Sequence, residues 1–442
     1  MELTVEQALA LAPDASSASA GRKLARPGDW RNLGRNEVAL WGECQGSALY
    51  QTRVDLRDYA TRCSCPSRKF PCKHALGLLV LAAATPDLVP SAGAPEWVES
   101  WLIQREKRAA RTDGDTETKP ATTTKTPPRQ REDRRLARVQ AGVDALNLWL
   151  DDLIRNGLAQ VGMQPARFWE QQAARLVDAQ ASGLASRVRR LAAIPNASAD
   201  WPSRLLDELG KLALLTHAFG RIDELDPALR DDVRTATGWT IERDEVIERG
   251  ETVTDDWLVI GQRVVAEERL RAQRTWLLGT RSGRSALVLQ FAHGTAPFTE
   301  AFAPGTRFGA DVAFFPSALP LRAIVRERHG SPVAIRQDDA CELGGSIDAV
   351  LASWAAALAR QPWIERIPVV LRSVVPVIEE AGDWVVRDDA GRALALEGAP
   401  HWSLLAHSGG RPLDLTAEWD GQALAPLGVF VAGAWQSLPE AG

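Results

Sequence analysis

The chain has 442 residues, 45% of them hydrophobic and 25% charged, with a net charge of −5. That length allows two or three globular domains, and the acidic balance excludes a chain that binds polyanions along its whole surface. Five cysteines in this length are too few for a disulfide framework, and three of them fall between Cys63 and Cys72.

The N-terminal stretch lacks a basic segment ahead of its short apolar run, so no secretory signal is expected. The longest apolar run, Ala75 to Ala84, is about half the roughly 20 residues that span a bilayer. A cytoplasmic protein with no membrane segment is the expectation. Sixteen tryptophans stand against two tyrosines, and they are expected to anchor cores and groove walls.

Residues 1–103 are read as the first domain. Val38–Trp41 and Ala48–Leu56 alternate as the strands of a hairpin do, with a finger core at about 38–85. A polar, proline-containing connection from Cys63 to His74 leads into the helix Ala75–Ala84, which Thr85 and Pro86 stop. A helix from Pro95 to Lys107 places Trp97, Trp101 and Leu102 on one face.

Residues 104–133 are read as a linker, disordered from 108, because their Thr, Lys, Pro and Asp content cannot bury a core. Residues 134–239 change to a helical period, with Val139, Val143, Leu146, Leu150 and Leu153 on one stripe. Further helices are expected at 165–181, 183–193, 202–220 and 226–236, giving an α-helical bundle.

Residues 240–442 read as an α+β domain with an antiparallel sheet or partial barrel. Strands are expected at 256–260, 274–278, 286–290, 306–315, 321–327, 369–378, 384–388, 394–397, 402–407 and 427–432. One helix is expected at Ile347–Arg360. The fold class is therefore multidomain α+β: a small ββα finger, a central helical bundle and a C-terminal α+β part with antiparallel strands.

Chemistry concentrates in Cys63-Ser-Cys65-Pro-Ser-Arg-Lys-Phe-Pro-Cys72-Lys-His74. Zinc prefers four thiolate and imidazole ligands in a tetrahedron, and this loop supplies four within twelve residues. One histidine and no further cysteine nearby favour zinc over an iron–sulfur cluster. Two prolines stiffen the intervening loop. Four protein ligands close the shell, so one structural Zn2+ is expected, not a catalytic one. Losing a ligand is expected to unfold residues 1–103 and spare the C-terminal half.

The pattern C-x-C-x(6)-C-x-H, between a strand and an apolar helix, resembles the SWIM zinc finger, a ββα unit. The words Trp41-Gly-Glu-Cys-Gln-Gly46 and Cys65-Pro-Ser-Arg-Lys-Phe-Pro-Cys-Lys-His-Ala-Leu-Gly77 are similar to those of bacterial SWIM zinc finger proteins. The resemblance implies binding to DNA or to proteins. It also implies a role beside MoxR-type AAA ATPases and von Willebrand A-domain (VWA) proteins.

Around the ligands, Arg68, Lys69, Phe70 and Lys73 are the candidate partner-binding residues. Arg53, Arg57 and Arg62 add local positive charge, which either contacts phosphate or stays solvated. Phe70 is expected to pack beneath the metal, with base stacking as the alternative. Cys44 is expected to be a core thiol and Cys341 a structural one. His217, His293, His329, His401 and His407 lack ligand spacing. Gly279–Ser285 lacks the lysine of a phosphate loop and reads as a hairpin turn, and Asp231-Asp232 as a solvated helix end. No catalytic motif is recognised, and a non-enzymatic protein with a protein partner, or alternatively DNA, is the expected function.

Overall fold

A computed structural model describes the chain except residues 1–2, 13–14, 47, 68, 113–127, 198–199, 268–269, 295, 381, 399 and 440–442. The core of the expected linker lies outside the described residues.

The first domain opens with α1 (Val5–Ala10) and α2 (Ala15–Leu24). Thr4 and Gln7 cap α1 reciprocally through side chain and backbone. Strands β1 (Trp30–Arg35), β2 (Ala39–Gln45), β3 (Leu49–Asp55) and β4 (Thr61–Cys63) form a four-stranded antiparallel sheet in chain order. The expected hairpin is β2–β3, widened by a strand on each side. Helix α3 (Lys73–Ala84) is buried from His74 to Ala82, as a helix apolar on all sides must be. Helix α4 (Glu96–Thr112) lays Val98, Trp101 and Leu102 against Ala39 and Trp41 of β2.

Helix α4 and the next helix, α5 (Pro128–Arg155), extend into the expected linker from both ends. The linker therefore begins later and ends earlier than composition suggests, because its flanks are rich in helix-forming Arg, Ala, Gln and Glu. With α6 (Ala166–Asp178), α7 (Ser182–Leu191), α8 (Trp201–Gly220) and α9 (Pro227–Thr237), α5 builds one core around Leu146, Trp169, Leu176, Leu184 and Phe219. The expected helical stripe of α5 faces that core.

After α10 (Arg243–Arg249) come β5 (Thr252–Glu267), β6 (Leu270–Gly279), β7 (Ser285–His293), β8 (Thr306–Phe314) and β9 (Arg322–Ala334). They close a barrel in the order β5-β6-β7-β9-β8, with β7 and β9 parallel. Ser282–Gly283 lie in the expected turn between β6 and β7. The long β5 bulges between Val259 and Gly261, which lets one strand curve around a small barrel.

Helices α11 (Gln337–Cys341) and α12 (Ile347–Arg360) precede the last sheet. Its strands are β10 (Ile367–Ile378), β11 (Trp384–Arg387), β12 (Ala393–Leu396), β13 (Leu413–Trp419), β14 (Ala423–Val431) and β15 (Ala434–Ser437), ordered β12-β11-β10-β13-β14-β15. Beside its antiparallel pairs, β12 also pairs with β14 in parallel. Residues 402–407 are not a strand: Trp402–Ser408 form a helix, α13. Its buried Leu404 and Ser408 are one helical turn apart, a period the short apolar run shares with a strand. The Cys341 side chain lies outside the described residues.

The barrel and the last sheet share a core of Leu258, Ile260, Trp276, Val370, Leu427 and Trp435. Leu427 of β14 comes so near Gly261 that a Cβ there would meet it at 2.5 Å. At its edge the buried Glu418 carboxylate accepts from Trp276 Nε1 at 2.6 Å and Arg274 Nε at 3.0 Å. The outer side of β6 around Trp276 is thus covered by the chain's own sheet.

The bundle meets the barrel at Asp232 of α9. Contrary to expectation this carboxyl is buried, accepting the Ala318 N–H at 2.8 Å. Burial pushes its pKa up to about 6. The folded chain therefore holds this proton to higher pH than the unfolded chain does. Ionising Asp232 costs stability as pH rises from about 4 toward 6, and below that range the cost is absent. Asp232→Asn is expected to stabilise the chain at pH 7, by at most about 3 kcal/mol, and to change little at pH 4. Urea denaturation at the two pH values checks this.

Candidate metal centre

Cys63 ends β4, directly across from Thr52 of β3. Cys65 follows in the turn leaving the sheet, and Cys72 is the N-cap of α3. His74 lies in the first turn of that helix. The sheet end and the helix start thus converge, and the proline-containing loop between them returns the chain in the six residues available.

The four ligand atoms all lie within 4.8 Å of one another, and Cys63 Sγ is 3.8 Å from His74 Nδ1. Tetrahedral zinc, with bonds of about 2.3 Å to sulfur and 2.0 Å to nitrogen, sets donors roughly 3.5–3.8 Å apart. The set therefore fits zinc in chemistry and, after a contraction of about an ångström at its widest pair, in geometry. Cys72 and His74 are buried, while Cys63 and Cys65 are half-buried.

The surroundings favour thiolate at Cys63. The hydrogen bond from Cys72 does most to hold its pKa low, and His74, Thr52 and the Cys65 N–H add to it against burial. Thr52 Oγ1, itself buried, sits 3.2 Å from Cys63 Sγ. Cys72 is pushed up by that same hydrogen bond and by burial, and the Ala75 N–H of α3 works in the opposite sense. Burial also raises Cys65, opposed by the Ser67 N–H. Each sulfur thus has one backbone N–H that stabilises its anionic form. The Tyr50 ring lies 4.8 Å from the His74 ring and packs the imidazole.

Cys44 is fully buried in the core of this domain, and burial raises its thiol to about 11. It is a core residue, as its spacing outside the ligand pattern implied.

The basic face divides in two. Arg53 lies over Trp97 and Trp101 of α4, at 5.2 and 5.7 Å, and donates to the Trp97 carbonyl at 3.0 Å. Arg57 pairs with the buried Asp55 at 2.8 Å. Arg105 of α4 joins Asp55 and Asp58. Arg53 and Arg105 hold α4 to the sheet, and Arg57 braces Asp55 beside them. Arg62, Lys69 and Lys73 remain exposed. Phe70 is 41% exposed and is not buried beneath the cluster; the ring packed on His74 is that of Tyr50. Arg68 lies outside the described residues.

Sequence reasoning missed a second property of the domain: it is seated on the barrel. Tyr59, in the β3–β4 turn, is buried and donates to the Pro332 carbonyl of β9 at 3.4 Å. Gln7 Nε2 donates to the Gly305 carbonyl at 2.5 Å, and Ala303 joins the finger core. The Thr4-x-x-Gln7 capping pattern was the available signal for α1, but nothing local announces its distant partner.

The histidines outside the cluster take structural roles where contacts define them. His401 Nε2 faces the Glu397 and Gly398 carbonyls at 3.1 and 3.0 Å, and His329 pairs with Asp311 at 3.2 Å. Among the described residues, no helix is long and apolar enough to cross a membrane.

Residues 50–82 match the SWIM zinc finger, and residues 134–237 match the SWIM-associated four-helix bundle domain. No curated protein and no solved structure matches the chain. The matched finger contains all four ligands, and the matched bundle covers the core of α5 to α9. The chain thus carries a SWIM zinc finger and, after it, the helical bundle associated with that finger, and the finger contains a cluster of three cysteines and one histidine that could hold a metal ion.

Proposed function

We propose that this chain is a non-enzymatic interaction protein of the cytoplasm, in which one structural zinc holds the finger that contacts a protein partner. Zinc would be held by Cys63, Cys65, Cys72 and His74, leaving no position for water or substrate. The observation that carries the reading is the loop beside those ligands. Phe70 and Lys69 are exposed there, as is Lys73 at the start of α3, whereas Arg53 of the sheet is engaged by α4. Aromatic side chains, phenylalanine included, are enriched where proteins meet. The net charge of −5 weighs further toward a protein partner. The family resemblance extends the proposal to an assembly with a MoxR-type AAA ATPase and a VWA protein.

A second reading, DNA contact through the same loop, is favoured by the exposed Arg62, Lys69 and Lys73. One experiment separates them. The intact chain and its Lys69→Glu/Phe70→Ala variant are used to capture partners from cells, and both are titrated with duplex DNA over a salt series. A protein lost with the variant supports the first reading. DNA binding that falls steeply with salt, and is lost with the variant, replaces it with the second.

A further inference from the structure

Strand β3 supplies no ligand, yet three of its successive residues each hold part of the ligand set. Tyr50 packs its ring on the His74 imidazole, with 4.8 Å between centroids. Gln51 clamps Ser64, the residue between Cys63 and Cys65. The Ser64 N–H donates to the Gln51 carbonyl at 3.0 Å, and the Gln51 N–H donates to Ser64 Oγ at 2.9 Å. Thr52 pairs with Cys63 across the ladder and sets its Oγ1 3.2 Å from Cys63 Sγ.

Thr52 is fully buried, as is Val54 two residues on, so both face the core side of the sheet. A hydroxyl buried without a partner is destabilising, and a position of this kind suits valine. Among the described residues, the Cys63 sulfur is the one hydrogen-bond partner of the Thr52 hydroxyl. A thiolate that ligates a metal carries no hydrogen, so the hydroxyl is the donor. The clamp on Ser64 fixes the backbone on the far side of Cys63, which keeps the sulfur within the reach of that donor.

We propose that Thr52 is a positioning residue of the metal centre, whose hydroxyl donates to the Cys63 thiolate, aims it at the metal and takes up part of its charge. The proposal rests on zinc being held by Cys63, Cys65, Cys72 and His74. Outer partners of this kind are worth about tenfold to a hundredfold in metal affinity. The bond has a second consequence. Cys63 is half-buried, so small electrophiles reach it, and a thiolate stabilised by a donor is a weaker nucleophile. Thr52 therefore shields Cys63 from alkylation while the metal is bound.

The test uses the full chain as wild type, Thr52→Val and Thr52→Ser. Valine keeps the shape and the strand preference and removes the hydroxyl. Serine keeps the hydroxyl and removes a methyl group. Competition with a chromophoric chelator is expected to show Thr52→Val binding zinc at least about tenfold more weakly, with Thr52→Ser close to wild type. With zinc in excess, timed alkylation by iodoacetamide, read by peptide mass spectrometry, should label Cys63 faster in Thr52→Val and leave the rate at Cys65 unchanged. A packing role alone predicts the opposite order, with serine the weaker binder, because it leaves the larger hole. That order overturns the proposal, and since Thr52→Ser retains the donor, its weakened binding does so even if Thr52→Val fails to fold. Wild-type affinity in Thr52→Val also overturns it, as does labelling of Cys63 that is no faster or that rises together with Cys65. A wild-type chain that binds no zinc removes the metal reading as well, whereas zinc bound alike by wild type and Thr52→Val removes only the role of Thr52.

Discussion

Cys72→Ser is expected to unfold the finger and to loosen the barrel end on which it sits. Cys72 is both a candidate ligand and the N-cap of α3, a helix buried along most of its length. Metal binding by such small units contributes folding energy on the order of 10 kcal/mol, more than the sheet and α3 can replace. The loss should not stop at residue 103, as the linker alone would suggest. Tyr59 lies in the turn that leads into β4, and its hydroxyl reaches the Pro332 carbonyl. Gln7 reaches the Gly305 carbonyl. Hydrogen exchange should rise through β3, β4 and α3, then at the Gly305 and Pro332 ends of β8 and β9, while α5 to α9 stay protected. Exchange that is unchanged in the barrel would show that the finger is seated there without stabilising it.

The second large effect is expected at Glu418. Its carboxylate is 1% exposed and receives Trp276 Nε1 and Arg274, with Arg366 at 3.5 Å. Glu418→Ala would strand these donors where barrel and sheet meet, a loss of about 3–5 kcal/mol for a broken buried pair. Glu418→Gln retains an acceptor for Trp276 and should cost less. Urea denaturation of both variants, followed by tryptophan fluorescence, reads the difference. Equal stabilities for wild type and Glu418→Ala would mean that the apolar contacts of Trp276, Leu427 and Trp435 hold the two units unaided.

These two sites mark what the sequence could and could not disclose. Cys63, Cys65, Cys72 and His74 are legible because metal chemistry restricts both residue type and spacing, and all four ligands lie within one loop. The bundle is legible because Val139, Val143, Leu146 and Leu150 repeat at the helical period. Glu418, by contrast, is an ordinary strand residue until Trp276, far away in the chain, is placed beside it. Barrel closure likewise depends on β5 meeting β8 and on β7 meeting β9 in parallel, which no local pattern encodes. Trp402–Ser408 was misread because a short apolar run serves helix and strand alike. Arg53 and Arg57 read from the sequence as phosphate contacts or a solvated face, because their partners Trp97 and Trp101 of α4 are brought to Arg53 only by the fold.

Whether the site is closed and structural is read from X-ray absorption at the zinc edge of the purified chain. One zinc per chain is expected, with three sulfur scatterers near 2.3 Å and one nitrogen near 2.0 Å, and loss of bound zinc in Cys72→Ser but not in Cys44→Ser. An oxygen scatterer in place of a protein ligand, or zinc retained undiminished in Cys72→Ser, would contradict it.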